Sequence, residues 1–409
     1  MRGEPGAWTL PRRLTDIEAS FAYTHALAKG TSQVTTLVTV SGEPDEQRVE
    51  SAVARWAGEL PVLALRITER PEGLWFTSGP AFLPEQLRQR ELLAGETPDE
   101  LLRRELNQLL PTGGPLWRLR AVRDPGSGCT HLLFTRNHAI SDGHSTGAVV
   151  RALLDALFGR SGPPSPFRVR ELPVAPPEVI DHQTGSPMAS RLPFARQASW
   201  SQRSADLLTV PLTRTEGVAL RSWCKRQGVT VNQFFGAAFV QAYGEATGRT
   251  VLELATAVST RRRHRVPDVG CYIGVLGVPV RTDGELVLRA REYGAALVRA
   301  GAGWQPPARE HARIRQAVEQ VAAARTAGPI CLTNVGPVDQ ALGPHAARVT
   351  GYRTVVNRTA ANYGLVLHLG GYAGGFAATL AFGTPATDPA LVAEVAKGLH
   401  DRVVRPGPG

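Results

Sequence analysis

The sequence predicts an α/β protein made of two halves. Apolar or β-branched runs alternate with segments of helical periodicity along the 409 residues, which is the pattern of sheets covered by helices. A proline-rich stretch interrupts this alternation near the middle of the chain, and the length allows two domains of ordinary size. We therefore predict a first half over 1–160, a connecting segment over 161–205 and a second half over 206–409.

The first half opens with a helix that begins near Thr15, where Glu18 completes a capping box three residues later. A β-branched run predicts a strand over 34–40. Asp45 then begins a helix whose apolar residues recur at 3.6-residue spacing. The other elements predicted here are strands over 61–68 and 116–122 and an amphipathic helix over 98–110.

The connecting segment carries Gly-Pro-Pro-Ser-Pro at 162–166 and further prolines, so it is predicted to be irregular. The second half is predicted to contain strands over 207–212, 251–258, 364–369 and 376–382, and helices over 215–227, from 230, and over 388–403. The last two strands flank Gly-Gly-Tyr-Ala-Gly-Gly, which we interpret as a β-hairpin turn.

The segment 130–147 is the most informative about function. An apolar run at 131–134 predicts a buried strand, and Gly143, Ser145 and Thr146 are start signals for an apolar helix over 148–157. A strand that ends in a tight turn before a helix is where many α/β proteins expose a working side chain.

His138 lies in that turn, and a neutral imidazole can take a proton from a hydroxyl or amine near neutral pH. Asp142 can pair with an arginine or orient the ring, and Gly143 permits a backbone bend that a Cβ would resist. The alternative interpretation is a structural histidine beside an Asp that caps a helix.

The order strand, His138-x-x-x-Asp142-Gly143, helix resembles the signature of the chloramphenicol-acetyltransferase-like superfamily. This superfamily includes condensation domains of nonribosomal peptide synthetases, polyketide-associated acyltransferases and plant acyltransferases. Its usual form has a second histidine, which Asn137 replaces here, and a frequent serine, which Ser145 matches. The resemblance implies two α/β halves facing each other across an active-site channel, with His138 as the catalytic base.

Other segments resemble the same superfamily. In the superfamily an arginine often pairs with the motif Asp, and Ala64 stands at that position here. Whether Arg66 takes the role is open. A buried Asp142 would be costly without a partner, so we expect some arginine to reach it. The stretch 270–281 resembles the superfamily's "Gly-x-Phe-x-Asn … Leu-Pro-x-Arg" segment, with Gly274 in place of Asn. Tyr272 in this stretch is a candidate residue of the channel or of an oxyanion site. Asn334, in a "Ser-Asn-x-Gly"-like turn, can serve the turn or donate to an oxyanion; we favour the turn.

A basic run contains Arg261, Arg262 and Arg263. The usual fate of such a run is a solvated loop, which we prefer. The alternative is a site for a phosphate of coenzyme A or phosphopantetheine, because a guanidinium matches phosphate geometry.

Composition narrows the function classes. The net charge is +10, but all but three of the 46 basic residues are arginine, which suggests a GC-rich and bacterial genome rather than nucleic-acid binding. The four cysteines show no metal or disulfide pattern. Without a secretory leader or a long apolar run, we expect a cytoplasmic protein away from membranes, and by default a monomer.

The resemblance implies an acyltransferase that moves an acyl group from a thioester, on coenzyme A or a carrier protein, to a small-molecule alcohol or amine, in natural-product biosynthesis. It implies no metal or other cofactor beyond that thioester. Because Asn137 and Gly274 depart from the pattern, a second hypothesis keeps the fold for a cyclisation, dehydration or rearrangement. A third is a non-catalytic binding module. A serine hydrolase is disfavoured because no Gly-x-Ser-x-Gly elbow is present.

Overall fold

The structure is a computed structural model of the chain. It describes residues 10–160, 162–163, 165–175, 179–180, 191–261, 266–305 and 307–406.

The helices and strands of the described residues are numbered in chain order. The strands are β1 Arg12–Arg13, β2 Gln33–Ser41, β3 Leu65–Arg70, β4 Gly73–Ser78, β5 Leu87–Glu91, β6 Trp117–Asp124, β7 Cys129–Asn137, β8 Val179–Ile180, β9 Leu192–Pro193, β10 Ser204–Val210, β11 Val251–Ser259, β12 Ile273–Arg281, β13 Pro307–Ala308, β14 Thr326–Ala327, β15 Ile330–Pro337, β16 Val349–Val356, β17 Val366–Tyr372 and β18 Gly375–Thr384. The helices are α1 Asp16–Leu27, α2 Glu46–Glu59, α3 Pro98–Asn107, α4 Gly143–Phe158, α5 Arg214–Arg226, α6 Val231–Thr247, α7 Leu286–Ala302, α8 His311–Ala323, α9 Asp339–Leu342 and α10 Pro389–Val404.

The first half is built on a five-stranded sheet in the order β16-β2-β7-β6-β5. Its apolar face is buried under α1, α2 and α4, with Trp56, Trp117 and Phe134 in mutual ring contact at the centre. One edge strand, β16, comes from the second half of the sequence and runs antiparallel to β2. That strand ties the two halves together.

The second half is built on a six-stranded sheet in the order β10-β18-β17-β15-β11-β12. Because side chains alternate between the faces of a strand, Leu332 and Leu367 lie on one face, in the core shared with α6 and α10. Cys331 and Val366 lie on the other face in a separate small cluster. His368, two residues after Val366, shares that second face.

The predicted α/β architecture of two halves is confirmed, and several predicted helix starts are accurate. Thr15 caps α1 with Glu18 closing the capping box, Asp45 caps α2 and Thr230 caps α6. Each of these signals is local, since a side-chain oxygen satisfies a main-chain N–H within three residues.

Other expectations are corrected. The helix after the His138 motif begins at Gly143 rather than near 148, because the Asp142 side chain accepts the Ser145 N–H and caps it there. The helix predicted over 98–110 ends at Asn107. The predicted boundaries at 160 and 206 stay a prediction.

The structure also bears on the cysteines and on membrane-spanning helices. The four cysteines are free: Cys129 is partly exposed, whereas Cys224, Cys271 and Cys331 are buried. In the described part of the chain, every helix is too short or too polar to cross a membrane.

Candidate active site

His138 follows directly on β7, at one end of the central strand of the first sheet. Gln33 of β2 pairs with Asn137, so the strand is held in register to its last residue. The side chain of Asn137 then accepts the Ala139 N–H at 3.0 Å, which starts a single 3₁₀ turn over His138–Ile140. Asn137 therefore supports the loop that presents His138.

The His138 ring is held by its neighbours. The Phe21 ring of α1 stacks on it with centroids 4.1 Å apart and planes within 5°. Cys271 Sγ lies 3.9 Å from Nδ1. The residue nevertheless keeps part of its surface accessible. Because Cys271 lies on the Nδ1 side of the ring, we take Nε2 as the nitrogen that faces a substrate.

Burial and nearby arginines keep His138 neutral. Desolvation is the main cause that lowers its pKa to about 4, and the positive charge of Arg136 adds to this effect. The negative charge of Asp142 acts in the opposite direction but is outweighed. At neutral pH the ring is therefore uncharged and has a lone pair available to accept a proton.

Asp142 organises the rest of the loop. Its side chain is 1% exposed and lies against Arg261, whose Nη1 is 2.6 Å from Oδ2. The main-chain N–H groups of Ser145 and Tyr272 donate to the carboxylate, each at 2.9 Å. Burial alone would raise the pKa of Asp142, but Arg261 and these hydrogen bonds outweigh it and leave the pKa below its ordinary value.

The arginine required by Asp142 is thus Arg261, and not Arg66, whose guanidinium donates to the carbonyls of Leu65 and Pro80. Arg261 also donates to Ser145 Oγ at 2.9 Å and lies 4.7 Å above the Tyr272 ring. These contacts give Arg261 a structural role, and the phosphate contact considered for it stays a prediction.

The two other arginines considered for a phosphate, Arg262 and Arg263, lie outside the described residues. Their phosphate contact stays a prediction.

Gly143 is required by packing. Its φ is outside the left-handed region, so the backbone conformation does not require a glycine there. A Cβ at this position would instead collide with the side chain of Val335 on β15. Gly274 has a comparable reason, because a Cβ there would overlap the Trp304 ring.

Asn334 and Tyr272 have structural contacts. Asn334 Oδ1 accepts the Gly336 N–H at 2.9 Å, and Gly336 has a φ of +75°. Asn334 therefore contributes to the turn, in which Gly336 adopts the left-handed conformation, and its alternative role at an oxyanion stays a prediction. The Tyr272 hydroxyl accepts the Val174 N–H at 2.8 Å. Burial raises the Tyr272 pKa, so the group stays protonated.

Five residues around His138 were not predicted from the sequence: Phe21, Arg136, Cys271, Arg358 and His368. Two of them left a signal, since a charged residue inside a buried strand is unusual. Arg136 is the only charged residue of β7 and is fully buried, and His368 interrupts the apolar run of β17.

A cavity of about 770 Å³ lies elsewhere, between α2, α4 and the segment after α4. Its lining includes Trp56, Ala152 and Arg168 but not His138.

The fold is similar to that of several solved structures. The trichothecene 15-O-acetyltransferase TRI3 from Fusarium sporotrichioides aligns with a TM-score of 0.72 at 13% identity, over 96% of this chain and 95% of that one. The first condensation domain of the calcium-dependent antibiotic synthetase aligns with a TM-score of 0.66 at 14% identity, over 98% of both chains. The epimerization domain from the third module of tyrocidine synthetase B aligns with a TM-score of 0.58 at 12% identity, over 98% of both chains.

No protein-family profile and no curated protein sequence matches the chain. Identities this low establish the fold and leave the reaction open. The condensation-domain-like fold implied by the motif is confirmed.

Proposed function

We propose that this chain, which has the condensation-domain-like fold, is an acyltransferase with His138 as the general base. The observation that carries the proposal is the neutral, partly accessible His138 ring, clamped by Phe21 on a loop that Asp142 and Arg261 lock. A base needs a free lone pair, a fixed direction and access for substrate, and this arrangement supplies all of them.

In the proposed reaction, an acyl thioester and an alcohol or amine meet at His138 in a channel between the two halves. Nε2 takes the proton of the acceptor while its oxygen or nitrogen attacks the thioester carbonyl carbon. The resulting tetrahedral oxyanion collapses with cleavage of the C–S bond, and the imidazolium returns the proton to the departing thiolate. Such a base typically contributes about 10²–10⁴ in rate.

The thioester is carried on coenzyme A or on a carrier protein, and the acceptor is a small molecule. This assignment is consistent with the TRI3 and condensation-domain structures that share the fold. Natural-product biosynthesis, a cytoplasmic location and a monomeric state belong to the same proposal. The chemistry requires no metal, redox cofactor or nucleic acid.

The test is intact-mass analysis of wild type and His138→Ala with a panel of acyl thioesters and pooled alcohol and amine acceptors. We expect a mass gain on an acceptor with wild type and loss of most turnover in a variant that stays folded. His138→Ala turning over at near the wild-type rate would refute the general-base role.

A second candidate is a proton-transfer or rearrangement step on a single substrate, supported by a second histidine in electrostatic reach of His138. His368 on β17 is 4% exposed, its Nε2 has no hydrogen-bond partner in the described residues, and the charge of His138 lowers its pKa further. In such a step the neutral His138 ring would remove a proton and become an imidazolium, and His368, after taking a proton from solvent, would deliver that proton on the other side.

This candidate is consistent with the epimerization domain that shares the fold. It predicts solvent deuterium uptake into a substrate without any acyl donor, which His368→Phe would abolish. A non-catalytic binding module would instead give binding by wild type and His138→Ala, and turnover by neither.

A further inference from the structure

Two buried arginines near His138 have no carboxylate partner in the described parts of the chain. Arg136 is fully buried and donates to the hydroxyls of Thr36 and Thr146. Arg358 is 7% exposed, its Nε is buried without a hydrogen-bond partner, and its guanidinium has no ion pair within the described ranges. The guanidinium carbon lies over the Tyr363 ring, 5.2 Å from its centroid.

The acids buried near this site are already neutralised. Asp142 pairs with Arg261, and Glu18 pairs with Arg12 in a two-bond geometry of 2.6 and 2.8 Å. The described surroundings of His138 therefore carry an excess of positive charge. An unpaired buried cation is costly, so its retention beside a candidate catalytic group points to an anionic ligand.

The topology explains why Arg358 lies near His138. Strands β7 and β16 both flank β2, which pairs through Gln33 with Asn137 on one side and through Val34 with Val356 on the other. Residues that follow these two strands, His138 and Arg358, consequently emerge at the same end of the sheet. The charge of Arg358 acts on both His138 and His368, consistent with this placement.

The main chain around Arg358 is well anchored. The Asn357 N–H donates to the Gln33 carbonyl at 2.8 Å, and the Arg358 carbonyl accepts the Ala361 N–H at 2.8 Å. The main chain that carries the guanidinium is thus fixed, whereas the guanidinium Nε has no hydrogen-bond acceptor among the described residues. Such preorganisation lowers the cost of binding an anion.

We propose that Arg358 binds a carboxylate of the acceptor substrate, so that the acceptor is an amino acid, a hydroxy acid or a related small acid. A guanidinium fork matches a carboxylate in geometry and charge. The nucleophile must reach His138, and Arg358 lies near His138, so the carboxylate and nucleophile are close together on the acceptor. The phosphate of a phosphopantetheine arm is at the far end of that arm from the thioester, which makes it the poorer fit.

This inference rests on the proposed acyl transfer for the identity of the acceptor, but the anion site can be tested without turnover. Ligand-observed NMR would measure binding of amino and hydroxy acids, each paired with its primary amide, to wild type, Arg358→Gln and Arg358→Lys. The matched control is Arg203→Gln. Arg203 is also a 7% exposed arginine over an aromatic ring, but its contacts are with Phe194 and Trp200.

We expect wild type and Arg203→Gln to prefer the acids over the amides by roughly 10- to 100-fold, the range of a charge-assisted pair. Arg358→Gln should lose this preference, and Arg358→Lys should keep part of it because it keeps the charge. Absence of an acid preference in wild type, or its survival in Arg358→Gln, would overturn the proposal.

Turnover of the same acid and amide acceptors is a second measurement. A loss in Arg358→Gln that is equal for acids and amides would assign Arg358 to the oxyanion of the transition state and overturn the carboxylate site. If no acceptor turned over at all while acid-selective binding depended on Arg358, the acyl-transfer proposal would fail and the anion site would stand.

Discussion

The buried pair Asp142–Arg261 should behave as one energetic unit. In Arg261→Met, Asp142 would keep the N–H groups of Ser145 and Tyr272 but lose its only ionic partner among the described residues. Removing one partner of a buried ion pair costs about 3–5 kcal/mol, because the other charge stays buried and uncompensated. In Asp142→Asn, an amide NH₂ would face a donor where the carboxylate has only acceptors, so we expect a loss of similar size.

The double variant Asp142→Asn/Arg261→Met removes both charges, so its free energy of unfolding should fall by clearly less than the sum of the single losses. Urea denaturation of the four proteins of this cycle measures the coupling, which we expect at about 2–3 kcal/mol. Arg281→Met is the control, since the exposed pair with Asp283 should contribute little. Additivity of the two single losses would show that Arg261 and Asp142 do not support the loop together.

Three further predictions concern the same site. The rate constant kcat/KM should be flat near neutral pH and fall about tenfold per pH unit below the His138 pKa of about 4, because only the neutral ring accepts a proton; a pH–rate profile with its inflection near 6.5 would contradict this. Gly143→Ala should lose about 1–3 kcal/mol of stability through overpacking against Val335, measured by urea denaturation, and Val335→Ala should restore most of it. Phe21→Leu should lower kcat by up to roughly tenfold with little change in Tm, because the stacked ring fixes the plane of His138; an unchanged kcat would show that the ring is held by other contacts.

The parts of the fold that the sequence predicts are those set by short-range signals. Thr15 and Glu18 close their capping box within three residues, and a β-branched run is enough to place β2. The same holds for the motif, because a strand end, His138 and a capping Asp142 all lie within one short segment. Such features depend on hydrogen bonds between residues that are close in sequence, so they can be predicted from the sequence alone.

The partners of these residues could not be predicted, because they depend on long-range topology. Arg261 is 119 residues from Asp142, and nothing local distinguishes it from Arg66 or its neighbours in the basic run. Arg358 reaches the site because β16 leaves the second half of the sequence and pairs with β2 of the first. Pairing of distant strands is decided by the packing of the whole protein.

The charge around His138 has a consequence for how the base would work. A general base is most effective when its pKa lies near the working pH, yet burial, Arg136 and Arg358 lower the pKa of His138 to about 4. A carboxylate bound at Arg358 would offset one of these cations and raise the pKa towards neutrality, each unit corresponding to about 1.4 kcal/mol. Correct binding would then strengthen the base, whereas the empty site would hold a neutral and weakly basic ring. In a titration of His138 by NMR, an amino acid should therefore raise its pKa more than the corresponding amide does, and Arg358→Gln should raise it without any ligand. Equal effects of the acid and the amide would show that an anion bound at Arg358 does not change the pKa of His138.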